Sequence, residues 1–180
     1  MEIQLTYHRR NTTTTKVGNL DIGSDHPVRI QTMANTSTND IEGCVAQAQR
    51  CIGAGTELLR FTTQGMREVE SLTQIHGELF KSVPLVADVH FQSDVADEAA
   101  KVVEKVRINP GNYIDPARKF KQIDYTNEEY QTELERLRTR FVRLLDICRE
   151  HRTALRIGVN HGSLSDRIMS RYGDTPEGMV

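Results

Sequence analysis

Arg60, Arg107 and Arg156 each sit in a short run in which every second residue is polar and the residue between is apolar. The runs are Arg60-Phe61-Thr62, Arg107-Ile108-Asn109 and Arg156-Ile157-Gly158-Val159-Asn160, joined by Asp88-Val89-His90 and Arg29-Ile30-Gln31-Thr32-Met33. A period of two marks a strand whose side chains alternate between two faces. On one face, these residues line a cavity with guanidinium, amide, carboxylate and imidazole groups. Removing a guanidinium from water costs several kcal/mol unless a partner compensates. Three cations facing Asp88 as the clear acidic neighbour want an anionic ligand. The guanidinium fork matches phosphate oxygens two at a time, and each charge-assisted bond is worth roughly 1.5–3 kcal/mol. Taken singly, each arginine has a competing use, capping a neighbouring strand or pairing with another acid. Asp88 and His90 are spaced to serve as acid, base or orienting pair, and equally to hydrogen-bond the cavity wall together. Gln31, Asn109, Asn112 and Asn160 supply amides suited to hydroxyl or phosphate oxygens, with turn stabilisation the competing use for Asn109 and Asn112.

Such a cavity needs strands side by side with their ends together, and the chain has that rhythm. Short apolar runs at 28–33, 57–62, Leu85–Val89, Lys105–Ile108 and 154–159 each lead into a polar corner. Helical stretches follow at about 40–52, stopped by Gly53-Ala54-Gly55, at 66–81, and from Ser93 or Asp94 as N-cap. Asn109-Pro110-Gly111-Asn112 reads as a turn, and Ser163 as the cap of a short helix after Asn160-His161-Gly162. Between the last two strands runs an amphipathic helix over about 127–150, whose Glu133, Glu135, Arg136, Arg138 and Arg140 read as a solvated face. Alternating strands and helices predict a parallel sheet, here the first five βα units (residues 25–180) of a (β/α)8 TIM barrel. Residues 1–24, with Gly18-Asn19 between two alternating runs, predict a β-hairpin that plugs or covers the barrel. Five units do not close a barrel that takes about 250 residues, so the chain reads as truncated. An open doubly wound sheet lacks support, because no Gly-rich phosphate fingerprint follows the first strand.

Composition narrows the function classes. With 37% hydrophobic residues among 180, the chain can bury a core. A net charge of −2, from 23 basic and 25 acidic residues, supplies no bulk field for nucleic acid or an anionic membrane, so anion recognition has to be local. No apolar run spans a bilayer and the first residues lack a signal-peptide core, which predicts a cytoplasmic protein. Cys44, Cys51 and Cys148 form no CxxC pair or metal spacing and read as packed, reduced thiols. His8, His26, His76 and His151 read as surface residues.

Four motifs in order resemble signatures of the 4-hydroxy-3-methylbut-2-enyl diphosphate synthase family. They are Gln31-Thr32-Met33-Ala34-Asn35-Thr36, Pro84-Leu85-Val86-Ala87-Asp88-Val89-His90-Phe91, Val106-Arg107-Ile108-Asn109-Pro110-Gly111-Asn112 and Arg156-Ile157-Gly158-Val159-Asn160-His161-Gly162-Ser163-Leu164. The long segment after Asn112 resembles the larger plant and chlamydial form. The resemblance implies reductive opening of 2-C-methyl-D-erythritol 2,4-cyclodiphosphate by two electrons and loss of water, in the non-mevalonate isoprenoid pathway. It implies a dihydropteroate synthase-like barrel that binds the cyclic diphosphate through Arg60, Arg107, Arg156, Asn109 and Asn160, with Asp88 and His90 at the same mouth. A [4Fe-4S] cluster on a separate domain, fed by ferredoxin or flavodoxin, is implied too, with ligands outside these residues, and a homodimer is compatible. Cys44, Cys51 and Cys148 do not fit the cluster pattern, so this segment alone is expected to be inactive. A pterin-binding barrel and a non-catalytic phosphate-binding module are the competing readings.

Overall fold

The computed structural model describes residues 8–79, 82–115, 119–159 and 161–179. A hairpin of β1 (Thr15–Val17) and β2 (Leu20–Ile22) leads into a parallel sheet. The sheet consists of β3 (Gln31–Met33), β4 (Leu58–Thr63), β5 (Leu85–Val89), β6 (Lys105–Ile108) and β7 (Ala154–Ile157), side by side in chain order. Helices α1 (Ile41–Gly53), α2 (Met66–Leu79), α3 (Ser93–Ala99) and α4 (Asn127–His151) connect successive strands, and α5 (Asp166–Tyr172) and α6 (Pro176–Met179) follow β7. Strands that advance one place per crossover helix give the winding of a TIM barrel.

Each strand serves two cores. Leu59, Phe61, Leu85, Ala87, Val89, Val106 and Ile108 pack outward against Cys44, Ala48, Leu72, Ile75 and Val95 of the helices. Inward-facing Leu58, Val86 and Ala154 pack on Val17, Leu20 and Ile22, so the hairpin seats an apolar plug at the strand starts. Its turn needs a left-handed residue, and Gly18 takes φ +59° there without a Cβ to clash. Arg29 ties the plug down, donating from Nε to Asp21 O at 3.0 Å and from Nη1 to Glu57 Oε1 at 2.9 Å.

Several local expectations need correction. Strand β3 begins at Gln31 rather than at 28, because Ile30 N donates to the Glu57 side chain and Val28 and Ile30 lie exposed. Ser93 opens α3 but does not cap it; its Oγ accepts Arg140 Nε at 2.9 Å. Arg140 is no solvated charge: it donates to Asp97 Oδ2 and Asp94 Oδ1, each at 2.6 Å, and Asp97 is buried. Ser165, not Ser163, caps α5, accepting Ile168 N. His76 is not a plain surface residue but pairs with Glu104 Oε1 at 2.7 Å.

Candidate functional site

Register decides what meets at the strand ends. Thr62, Asp88, Arg107 and Arg156 lie level across β4, β5, β6 and β7, and Arg60 lies one inward-facing position earlier, level with Val86. A carboxylate and a guanidinium that start level on neighbouring strands need no loop to meet. Asp88 Oδ1 accepts Arg107 Nη1 at 3.1 Å, and Oδ2 accepts Arg60 Nη2. Asp88 itself is 1% exposed. Burial alone would raise its carboxyl pKa, but the Arg60 hydrogen bond and the charges of Arg60, His90 and Arg107 outweigh it and take the value below 3.8. Asp88 is therefore a fixed anion between two cations, and the Arg60–Asp88–Arg107 group keeps one positive charge.

His90 stands where it can address both neighbours. Its Nε2 is 3.2 Å from Asp88 Oδ2 and 3.3 Å from Arg107 Nη1. Arginine only donates and carboxylate only accepts, so Nε2 carrying a proton bonds to Asp88, and bare Nε2 accepts from Arg107. Phe91 follows His90, half exposed, with a left-handed φ of +62°.

Arg107 also donates from Nη2 to Gly158 O at 2.6 Å, so its fork is spread between β5 and β7. Gly158 leaves the space for it, since a Cβ there would stand 2.1 Å from Arg107 Nε. Asn109 bridges the loops after β6 and β7: its Oδ1 accepts Gly111 N at 3.0 Å and its Nδ2 donates to Ser163 Oγ. Asp115 continues the seam by accepting Ser165 Oγ at 2.7 Å and Arg167 Nε at 3.0 Å, all three residues being buried. Among the described residues, four side chains carry a buried atom without a partner: Asp97 at Oδ1 and Tyr113 at Oη, and the two that bear on this site. Arg60 Nε has none, and neither Nδ2 nor Oδ1 of Asn112 has one. An unsatisfied buried polar atom costs about 1–3 kcal/mol, which makes both residues candidates for completion by a ligand or a shift of the loop.

The structure thus brings Arg60, Asp88, His90 and Arg107 together and places Asn109 and Asn112 on the adjoining loop. It does not bring Arg156 and Gln31 into that cluster. They line a separate space of about 320 Å³ toward the plugged end, with Arg9, Arg29, Leu58 and Lys105. Burial first, and the Arg156 charge second, lowers the Lys105 pKa there. Asn160 lies outside the described residues, as does the His161 side chain. Asp115, Ser165 and Arg167 received no role in the sequence reading, which placed Gly158 in the alternating run and took Ser163 as a helix cap without foreseeing their contacts with Arg107 and Asn109.

Among the described residues no group of three or more His, Cys, Asp or Glu side chains is arranged to hold a metal ion. The cysteines sit in α1 and α4, with Cys44 Sγ donating to Ser37 O at 3.3 Å. Burial, then Asp97, pushes Cys148 up to about 11, and burial followed by Asp40 raises Cys44. They do not fit the thiolate ligands of a cluster. No helix among the described residues is long and apolar enough to cross a membrane.

Residues 12–180 match the family model described as the GcpE TIM-barrel domain. Over 177 residues the chain is 60% identical to the 4-hydroxy-3-methylbut-2-en-1-yl diphosphate synthase (flavodoxin) of Bacteroides fragilis, covering 97% of this chain and 28% of that protein. It is 47% identical over 175 residues to the chloroplastic, ferredoxin-dependent synthase of Arabidopsis thaliana, covering 96% of this chain and 24% of that one. It is 48% identical over 175 residues to the flavodoxin-dependent synthase of Protochlamydia amoebophila, covering 96% of this chain and 27% of the relative. The chain spans less than a third of the length of these curated relatives.

Proposed function

Because this chain belongs to the GcpE TIM-barrel domain family, we propose that its strand-end cluster is the diphosphate-holding half of a reductive enzyme's active site. The substrate in this reading is 2-C-methyl-D-erythritol 2,4-cyclodiphosphate, and the product of the whole protein is 4-hydroxy-3-methylbut-2-enyl diphosphate. Opening the ring and expelling water consumes two electrons, which flavodoxin or ferredoxin supplies in the relatives so named. A [4Fe-4S] cluster would deliver them. The cysteines of this chain do not fit it, so no step here is routed through it. Three free thiols accord with work in a reducing cytoplasm.

One observation carries the reading: a buried carboxylate is shared by two arginines, leaving a positive charge for a guest. An arriving phosphate competes with Asp88 for the Arg60 and Arg107 forks, finding them already aimed. Asp88, kept ionised, then acts as the group that orients both guanidiniums rather than as a proton donor. His90 Nε2 is the atom at which a proton is held or yielded, since its two contacts demand opposite proton states. Arg156 joins this set only if its long side chain turns up from the lower space. The test is calorimetric titration of the full-length protein with the cyclic diphosphate. Arg107→Ala should weaken binding at least tenfold, about 1.4 kcal/mol, and unchanged affinity would remove Arg107 from the site.

A further inference from the structure

Between β5 and α3 the chain turns through Phe91, whose φ of +62° lies in the left-handed region. Glycine or asparagine makes such a turn with little steric cost, whereas a bulky side chain brings its Cβ against the following carbonyl. The aromatic ring gains little burial in return: Phe91 is 50% exposed, while Phe61 on the neighbouring strand is fully buried. Its described ring contact is with His90, centroids 6.0 Å apart and planes tilted by 39°. His90 in turn touches Asp88 and Arg107, so the ring adjoins the residue that contacts the paired site. Strain and an exposed aromatic together at one position, next in the chain to the charged cluster, point to a group held ready for a guest.

We propose that the Phe91 ring is the apolar wall of the anion site, packing on the carbon skeleton of a small diphosphate whose phosphates sit on Arg60 and Arg107. This rests on the anion-site reading above and adds a specificity element to it. The arginines recognise phosphate and are indifferent to what joins the phosphates; the ring distinguishes a ligand with an apolar carbon face from a bare polyphosphate.

The experiment titrates the full-length protein with two probes, the cyclic diphosphate and inorganic pyrophosphate, in wild type, Phe91→Gly, Phe91→Tyr and Arg107→Ala. Glycine removes the ring and suits the backbone, so the thermal midpoint of Phe91→Gly should not fall. Its affinity for the cyclic diphosphate should drop about tenfold, pyrophosphate binding should stay unchanged, and Phe91→Tyr should keep wild-type values. Unchanged affinity for the cyclic compound in Phe91→Gly overturns the proposal, and so do equal losses for both probes. A raised KM for the electron donor with ligand affinity intact also overturns it, placing the ring at a protein contact instead. Arg107→Ala without effect on pyrophosphate sinks the anion site itself, a result separate from either outcome at Phe91.

Discussion

Replacing Gly158 by alanine tests whether the Arg107 fork is held by shape as well as by charge. The new Cβ would lie 2.1 Å from Nε, 2.9 Å from Cζ and 3.0 Å from Nη2 of Arg107. Carbon and nitrogen rest at about 3.5 Å, so the guanidinium must retreat by about 1.4 Å. A retreat of that size breaks the 2.6 Å bond to Gly158 O and pulls Nη1 off Asp88, now 3.1 Å away. Bonds to charged groups are worth roughly 1.5–3 kcal/mol net, and a partly solvated guanidinium recovers some of that from water. We therefore expect Gly158→Ala to destabilise the full-length protein by about 2 kcal/mol in urea unfolding and to weaken pyrophosphate binding about tenfold. The same change in an Arg107→Ala background meets no guanidinium, so its cost should fall to a few tenths of a kcal/mol. Equal costs in the two backgrounds would refute the reasoning, because the glycine would then serve the backbone of the loop and not the arginine.

Other expectations follow from the same contacts. Asp88 titrates below its ordinary 3.8, so the stability it lends is present above that value and lost as pH falls through the lower folded value. Asp88→Asn should accordingly flatten the dependence of stability on pH below about 4, and an unaltered slope in acid unfolding would argue against the pairing. Arg140→Met leaves the buried Asp97 with Arg143, 66% exposed, as its remaining described ion-pair partner, and should cost about 3 kcal/mol in denaturant unfolding. Asp115→Ala strands the buried Arg167, whose remaining described hydrogen bond runs to Tyr130 Oη at 3.2 Å. A loss of about 3 kcal/mol or more is expected there, and a mutant as stable as wild type would show that Asp115 does not hold the seam.

What the sequence disclosed depended on the range of the interaction. Strands Leu85–Val89 and Lys105–Ile108 have the predicted bounds because alternation is a property of neighbours, and α1 stops where Gly53-Ala54-Gly55 said it would. The capping box of Thr126 and Glu129 at the start of α4 was equally legible and went unread. Asp88 and Arg107 lie on different strands, yet a parallel sheet with regular crossovers makes level residues computable, and these two are level. Nothing comparable links Arg140 to Asp97 across 43 residues, or Arg167 to Asp115 across 52. Those pairs depend on how a helix or loop lies over its neighbour, which periodicity does not encode. Arg156 shows the limit of register itself: it starts level with Arg107, but its long side chain takes the space beside Lys105.

The position of Asp88 explains how a site for an anion keeps its arginines in order while it waits. Two guanidiniums converging without a counterion would repel each other and swing toward solvent, and binding would then have to recover the lost rotamer freedom. A buried carboxylate between them fixes both forks through Oδ1 and Oδ2, one cation to each oxygen, and so pre-organises the donors. Its single charge cannot neutralise both cations, so the preorganisation does not abolish the attraction for phosphate. The neighbouring imidazole adjusts the balance. With its N–H on Nε2, His90 bonds to Asp88, and with Nε2 bare it takes up an Arg107 N–H.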